Sequence, residues 1–129
     1  MNSELTYLAL ASVLTGLLWV PYILNLILVR GLIDAVGYPE NPKPIAKWAE
    51  RLKCAHYNAV ENLVVFAALV LVAQAAGVHN AAIASAAMVY FWARVVHAVA
   101  YTFAVPWIRT LAFVVGVGSQ LCIAWHILL

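Results

Sequence analysis

Polarity changes along this chain in long blocks. From Leu5 to Val29 no residue is formally charged. That run is long enough to cross a hydrocarbon core about 30 Å thick with some tilt, and Arg30-Gly31 closes it. Pro21 and Asn25 interrupt it, which predicts a kink or a polar contact inside a bundle rather than a uniformly lipid-facing helix. A cleavable signal sequence would carry a positive n-region and a shorter apolar core, so the segment reads as a first span. Gly31 to Lys47 is polar and holds three of the five prolines, which fix a non-helical loop. Gly77-Val78-His79-Asn80 is a tight turn, and Pro106 breaks the chain again. The pattern predicts one all-α transmembrane domain over residues 1–129, a four-helix membrane bundle with helices at about 4–30, 46–76, 80–104 and 107–128.

Composition strengthens this picture. Hydrophobic residues make up 67% of the 129 positions and charged residues 9%, with a mean hydropathy of +0.97. Soluble domains carry about 25% charged residues, so a soluble globular domain, a disordered chain and a nucleic-acid binder are excluded. A net charge of +2 is too small to steer polyanions, but its placement is informative. Arg30, Lys43, Lys47, Arg51 and Lys53 flank the first loop and Arg109 the third, while the second loop and both ends lack Lys and Arg. The positive-inside rule then places loops one and three in the cytosol and both termini on the non-cytosolic side. Trp48 and Trp107 suit the inner interfacial belt, and Trp125 with His126 the outer one. The expected location is a bacterial inner membrane, or the endoplasmic reticulum of a eukaryote.

Charged and polar residues recur inside the second and third spans. Arg51, Cys54, Asn58 and Glu61 follow at i, i+3, i+7 and i+10, and Arg94, His97 and Tyr101 at i, i+3 and i+7. Such residues are costly in lipid and normally face a bundle interior, a partner or a water-filled cavity. The turn at Gly77–Asn80 pins both helices at one end. Glu61 then lies about 24 Å from it and Arg94 about 21 Å, at 1.5 Å per residue. Matching depth predicts an ion pair between the two, within one polar cleft open to the cytosolic side. The pair alone could be an intramembrane strut; Asn58, His97 and Tyr101 beside it favour a binding site.

These residues carry a resemblance. Glu50 to Asn62, ERLKCAHYNAVEN, resembles the E-R-x-x-R-A-H-x-N-x-x-E-N signature of the MAPEG superfamily, membrane-associated proteins in eicosanoid and glutathione metabolism. Ala93 to Tyr101, ARVVHAVAY, is similar to its A-R-x-x-H-x-x-A-Y motif. Arg109 followed by FVVGVG at Phe113 to Gly118 is similar to its fourth-helix pattern. The resemblance spans the chain and implies a homotrimer that binds glutathione, as co-substrate, between protomers near the cytosolic side. It implies that Arg30, Arg51, Asn58, Glu61, Arg94, His97 and Tyr101 line or brace that site, with Arg109 and Tyr101 catalytic.

The chemistry is compatible with this assignment. Arginine forks suit the two carboxylates of glutathione, and Glu61 could accept its ammonium. A thiol must become a thiolate to attack an electrophile, and a neighbouring arginine lowers its pKa. Arg109 is the candidate thiolate partner and Tyr101 the candidate hydroxyl donor. The implied activity is glutathione transfer or glutathione-dependent peroxidase chemistry on hydrophobic electrophiles drawn from membrane lipid. Cys54 stands where glutathione-using members carry arginine, and this favours an alternative, a non-catalytic lipid-binding or scaffold protein of the same fold. Neither His79 nor His126 has metal-ligand spacing, so no metal site is expected. Cys54 and Cys122 fall toward opposite ends of the bundle, so no bridge is expected. The plain reading of His56 is packing, and of Gly116 and Gly118 close helix contact.

Overall fold

The computed structural model describes all 129 residues, Met1–Leu129. It is entirely helical, with α1 (Ser3–Leu17), α2 (Trp19–Val36), α3 (Lys47–Ala76), α4 (Ala81–Thr102) and α5 (Pro106–Leu128). Together α1 and α2 form one bent span, so four segments are long and apolar enough to cross a membrane. The break falls at Leu18 because Pro21 has no N–H to offer the carbonyl of Leu17. At Gly31 the backbone takes φ +77°, which separates the last helical residues, through Val36, from the spanning part of α2.

The helix ends follow local chemistry. Asn2 caps α1 by accepting from the Leu5 N–H at 3.0 Å, and Asn80 caps α4 by accepting from Ile83 at 2.9 Å. α3 ends in a Schellman turn. Gly77 is left-handed, its N–H bonds the Gln74 carbonyl, and the Val78 N–H bonds that of Ala73. α4 closes by the same pair of bonds, from Ala104 to Tyr101 and from Val105 to Ala100. Here the left-handed residue is an alanine, at φ +59°. Pro106 then opens α5 at a position where its missing N–H is harmless. Asn25 makes the polar contact its position predicts, its side-chain oxygen accepting from the Ala46 N–H at 2.9 Å at the start of α3.

α4 is the hub. It packs against α1 and α3 and most extensively against α5, while α2 touches only α1 and α3. Alanines let the backbones approach: Ala86, Ala87, Ala93, Ala98 and Ala100 of α4 are all buried. The main core joins Phe66, Val70, Ile83, Tyr90 and Ile123, with the Phe66 and Tyr90 rings stacked at 3.8 Å. A smaller cluster of Tyr22, Ile45, Ala49 and Leu52 fastens α2 to α3. The Tyr22 hydroxyl adds a 2.7 Å hydrogen bond to His56, which therefore has a specific polar partner besides packing. Only 26 of the 129 residues are buried, so most apolar side chains are left to meet lipid or another subunit. The N-terminus and the α3–α4 turn share one end, since the Asn2 side chain donates to that of Gln74 at 2.9 Å. The cationic loop and the α4–α5 turn share the other.

Candidate functional site

At the cationic end α3, α4 and α5 converge on a polar cleft. Arg94 of α4 is 4% exposed, and its Nη2 donates to Asn58 Oδ1 at 2.7 Å and lies 3.3 Å from His97 Nδ1. Its Nε has no acceptor, and no carboxylate lies within 4.0 Å of the guanidinium. The positive charge is thus held in the bundle on neutral acceptors alone. One turn onward, His97 meets Tyr101 edge-to-face at 5.5 Å. The Arg109 guanidinium lies over the Tyr101 ring at 4.7 Å, a cation–π contact that orients it while leaving its N–H donors free. Arg51 donates from Nε to the Thr102 carbonyl at 2.9 Å, tying α3 to the end of α4.

Two cavities flank the Tyr101–Arg109 pair. One, of about 300 Å³, is lined by Asn58, His97, Tyr101, Arg109, Thr110 and Phe113. The other, of about 200 Å³, is lined by Arg51, Ala100, Tyr101, Arg109 and the α4–α5 turn. Arg51 and Arg109 therefore face a shared space with unused guanidinium donors. Such an arrangement suits an anionic ligand.

Of the residues singled out in the sequence, Arg51, Asn58, Arg94, His97, Tyr101 and Arg109 come together here. Glu61 does not: it is exposed and makes no ion pair with Arg94, so the expected pair is absent within the protomer. Helical geometry supplies the reason. At 100° per residue, Arg51 and Asn58 fall within about 20° of each other, but Glu61 lies about 60° further round, beyond the contact with α4. Matching depth is necessary for pairing and insufficient without matching azimuth. Cys54 shares that outward side and is exposed. Arg30 also stands apart, its Nε donating to the Lys43 carbonyl at 2.7 Å and so bracing the loop.

Two contributors were not anticipated. Asn62 donates to the Asn58 carbonyl at 2.9 Å and to its side-chain oxygen at 3.3 Å. Gln120 of α5, itself buried, donates to the Asn62 carbonyl at 3.1 Å. The signal for both was available, since Asn62 continues the Arg51–Asn58 line and Gln120 is a lone amide within an apolar span. A Cβ at Gly116 would come only into ordinary contact with Arg94 and Tyr90, and one at Gly118 would meet nothing within 4 Å, so neither glycine is needed for the close helix contact expected of them.

Residues 8–129 match the sequence profile of the MAPEG family, which is essentially the whole chain. The chain belongs to the MAPEG family. Membership supports, in general terms, a membrane function connected with glutathione or eicosanoids. No curated protein and no solved structure matches the chain. Both cysteines of this MAPEG protein are free.

Proposed function

We propose that this protein is a membrane-bound glutathione-dependent transferase or peroxidase acting on hydrophobic electrophiles. The observation that carries the reading is the cleft in which Arg109 is stacked on Tyr101 with Arg51, Asn58 and His97 around the same space. Arg51 and Arg109 are placed to receive carboxylates or a thiolate. Arg109 stabilises the thiolate, lowering the acidity barrier of a thiol whose free pKa is about 8.5. Tyr101 fixes that guanidinium and offers its hydroxyl to the sulfur or the electrophile. Arg94 supplies a positive field from beneath, with Asn58 holding it in register.

The working unit in this proposal is a homotrimer, the state typical of the family. Glu61 gives an independent reason for a neighbour: a carboxylate exposed on a span is costly in lipid, and a second subunit would cover it. In that assembly Glu61 and Arg30 complete the glutathione site from across the interface. The expected orientation puts the cleft on the cytosolic side.

Glutathione titrated calorimetrically into the purified protein should bind with one site per cleft. Turnover with a chloro-nitro aromatic or a lipid hydroperoxide should then follow. Absence of both binding and turnover overturns the proposal. A non-catalytic lipid-binding role is the second reading, favoured by Cys54, exposed where an arginine is expected. Lipid that co-purifies in the cleft and survives excess glutathione would select it.

A further inference from the structure

The first loop, polar in sequence, opens with an apolar helical turn. At Gly31 the backbone takes φ +77° and leaves the line of the span, and residues 32–36 then return to helical geometry before Gly37 ends the turn. At 100° per residue Leu32, Val36 and Ile33 fall within about 100° of one another, and Asp34 lies about 150° from the middle of that stripe. The three apolar side chains are 62%, 73% and 84% exposed, so nothing in the protomer covers them. Tyr38, just beyond, is fully exposed. Two hydrogen bonds fix the level of this turn. Arg30 Nε donates to the Lys43 carbonyl at 2.7 Å, which closes residues 31–42 into a loop at the end of the span. The Ala46 N–H donates to Asn25 at 2.9 Å, which draws the returning chain back alongside α2, where Ile45 is buried in one cluster with Tyr22.

We propose that residues 32–36 lie along the membrane surface as an interfacial anchor. Leu32, Ile33 and Val36 insert among the glycerol and upper acyl carbons of the leaflet at the cationic end, and Asp34 turns to water. Length places the turn at that level. From Ser3 to Arg30 the bent span measures about 42 Å, against a hydrocarbon core of about 30 Å, so Arg30 reaches the headgroups and the turn starts just beyond it. Trp48, exposed at the start of α3, marks the same interface. The loop cannot carry the turn far from there, because both its ends are tied to α2. A second copy is a poorer occupant. Three side chains on one turn offer a small fraction of the ~800 Å² per partner that a stable interface buries, whereas a leaflet accepts them singly. Net charge does not drive the contact: Asp34 and Glu40 offset Arg30 and Lys43, so a zwitterionic bilayer suffices.

The test uses the full chain with Cys54→Ser and Cys122→Ser in phosphatidylcholine nanodiscs, carrying one nitroxide on Ile33→Cys, Asp34→Cys or Val36→Cys. All three positions are exposed, so the label leaves the bundle intact. Collision with oxygen, which concentrates in lipid, and with a water-soluble nickel chelate reports depth. The oxygen-to-nickel ratio at positions 33 and 36 should exceed that at position 34 several-fold. Adding Leu32→Ser and Ile33→Ser to the Val36→Cys chain should bring its label into water, several-fold more accessible to nickel, with the helical content unchanged by circular dichroism. Equal ratios at all three positions would put the turn in water. Shielding of positions 33 and 36 from both reagents would mean that a protein neighbour covers them. Either result overturns the proposal, as does a Val36→Cys label whose depth is unmoved by the two serines.

Discussion

Asn58 is the sharpest point at which to test the cleft. Its Oδ1 is the one short, strong acceptor of the buried Arg94 guanidinium, at 2.7 Å, and Arg94 Nε already has none. Replacing Asn58 by Ala removes a hydrogen bond to a charged group, which is worth about 1.5–3 kcal/mol, and leaves the charge with only His97 at 3.3 Å. The neighbouring cavity admits water, which recovers some of that loss, so the expected destabilisation is about 1–2 kcal/mol. The same change in an Arg94→Leu background removes an amide with no charge to serve and should cost about 1 kcal/mol or less. The coupling energy between the two positions is then about 1 kcal/mol, within the range for direct contact. Asn58→Asp supplies a carboxylate to the guanidinium and should stay within about 1 kcal/mol of wild type, since a buried pair roughly balances its own desolvation. Unfolding free energies from SDS titration in mixed micelles would give all four values. If Asn58→Ala costs the same with and without Arg94, the two side chains are not coupled and the role assigned to Asn58 is wrong.

Arg109 is exposed and stacked on one ring, so Arg109→Ala should cost less than about 1 kcal/mol in stability while reducing glutathione-dependent turnover at least about 100-fold; comparing melts with initial rates checks it. Ala104 occupies the left-handed position that glycine fills at the end of α3, so Ala104→Gly should raise unfolding free energy by about 1 kcal/mol. A Cβ at Gly116 would lie 3.9 Å from Arg94 Cδ and 4.0 Å from Tyr90, in ordinary contact. Gly116→Ala should therefore be tolerated, whereas Gly116→Leu should destabilise by about 1–3 kcal/mol through overpacking, read in the same titration. Cys54 is exposed at the cationic end of α3, so in a Cys122→Ser background an impermeant maleimide should label it from the cytosolic face only; labelling from the other face would reverse the expected orientation.

Much of this molecule is determined locally and is therefore legible in one dimension. The first span, its break near Pro21, the caps at Asn2 and Asn80 and the stops at Gly77 and Pro106 all follow from covalent constraints or from unpaired backbone donors within a few residues. The polar face of α4 is legible for the same reason, because Arg94, His97 and Tyr101 stay within one stripe at 3.6 residues per turn. What the tertiary structure alone decided is which edge of each stripe meets a neighbour. Arg51, Asn58 and Asn62 fall inside the contact of α3 with α4, and Glu61 and Cys54, a fraction of a turn away, fall outside it. That boundary depends on where the α4 alanines allow the backbones to approach. Arg94 therefore bonds an amide one turn nearer the cationic end instead of the carboxylate at its own depth. The pairing of Tyr22 with His56, the reach of Gln120 to Asn62 and the approach of Glu4 to His79 have the same origin. Each joins residues far apart in sequence, and periodicity can place a side chain on a face but cannot say what stands opposite it.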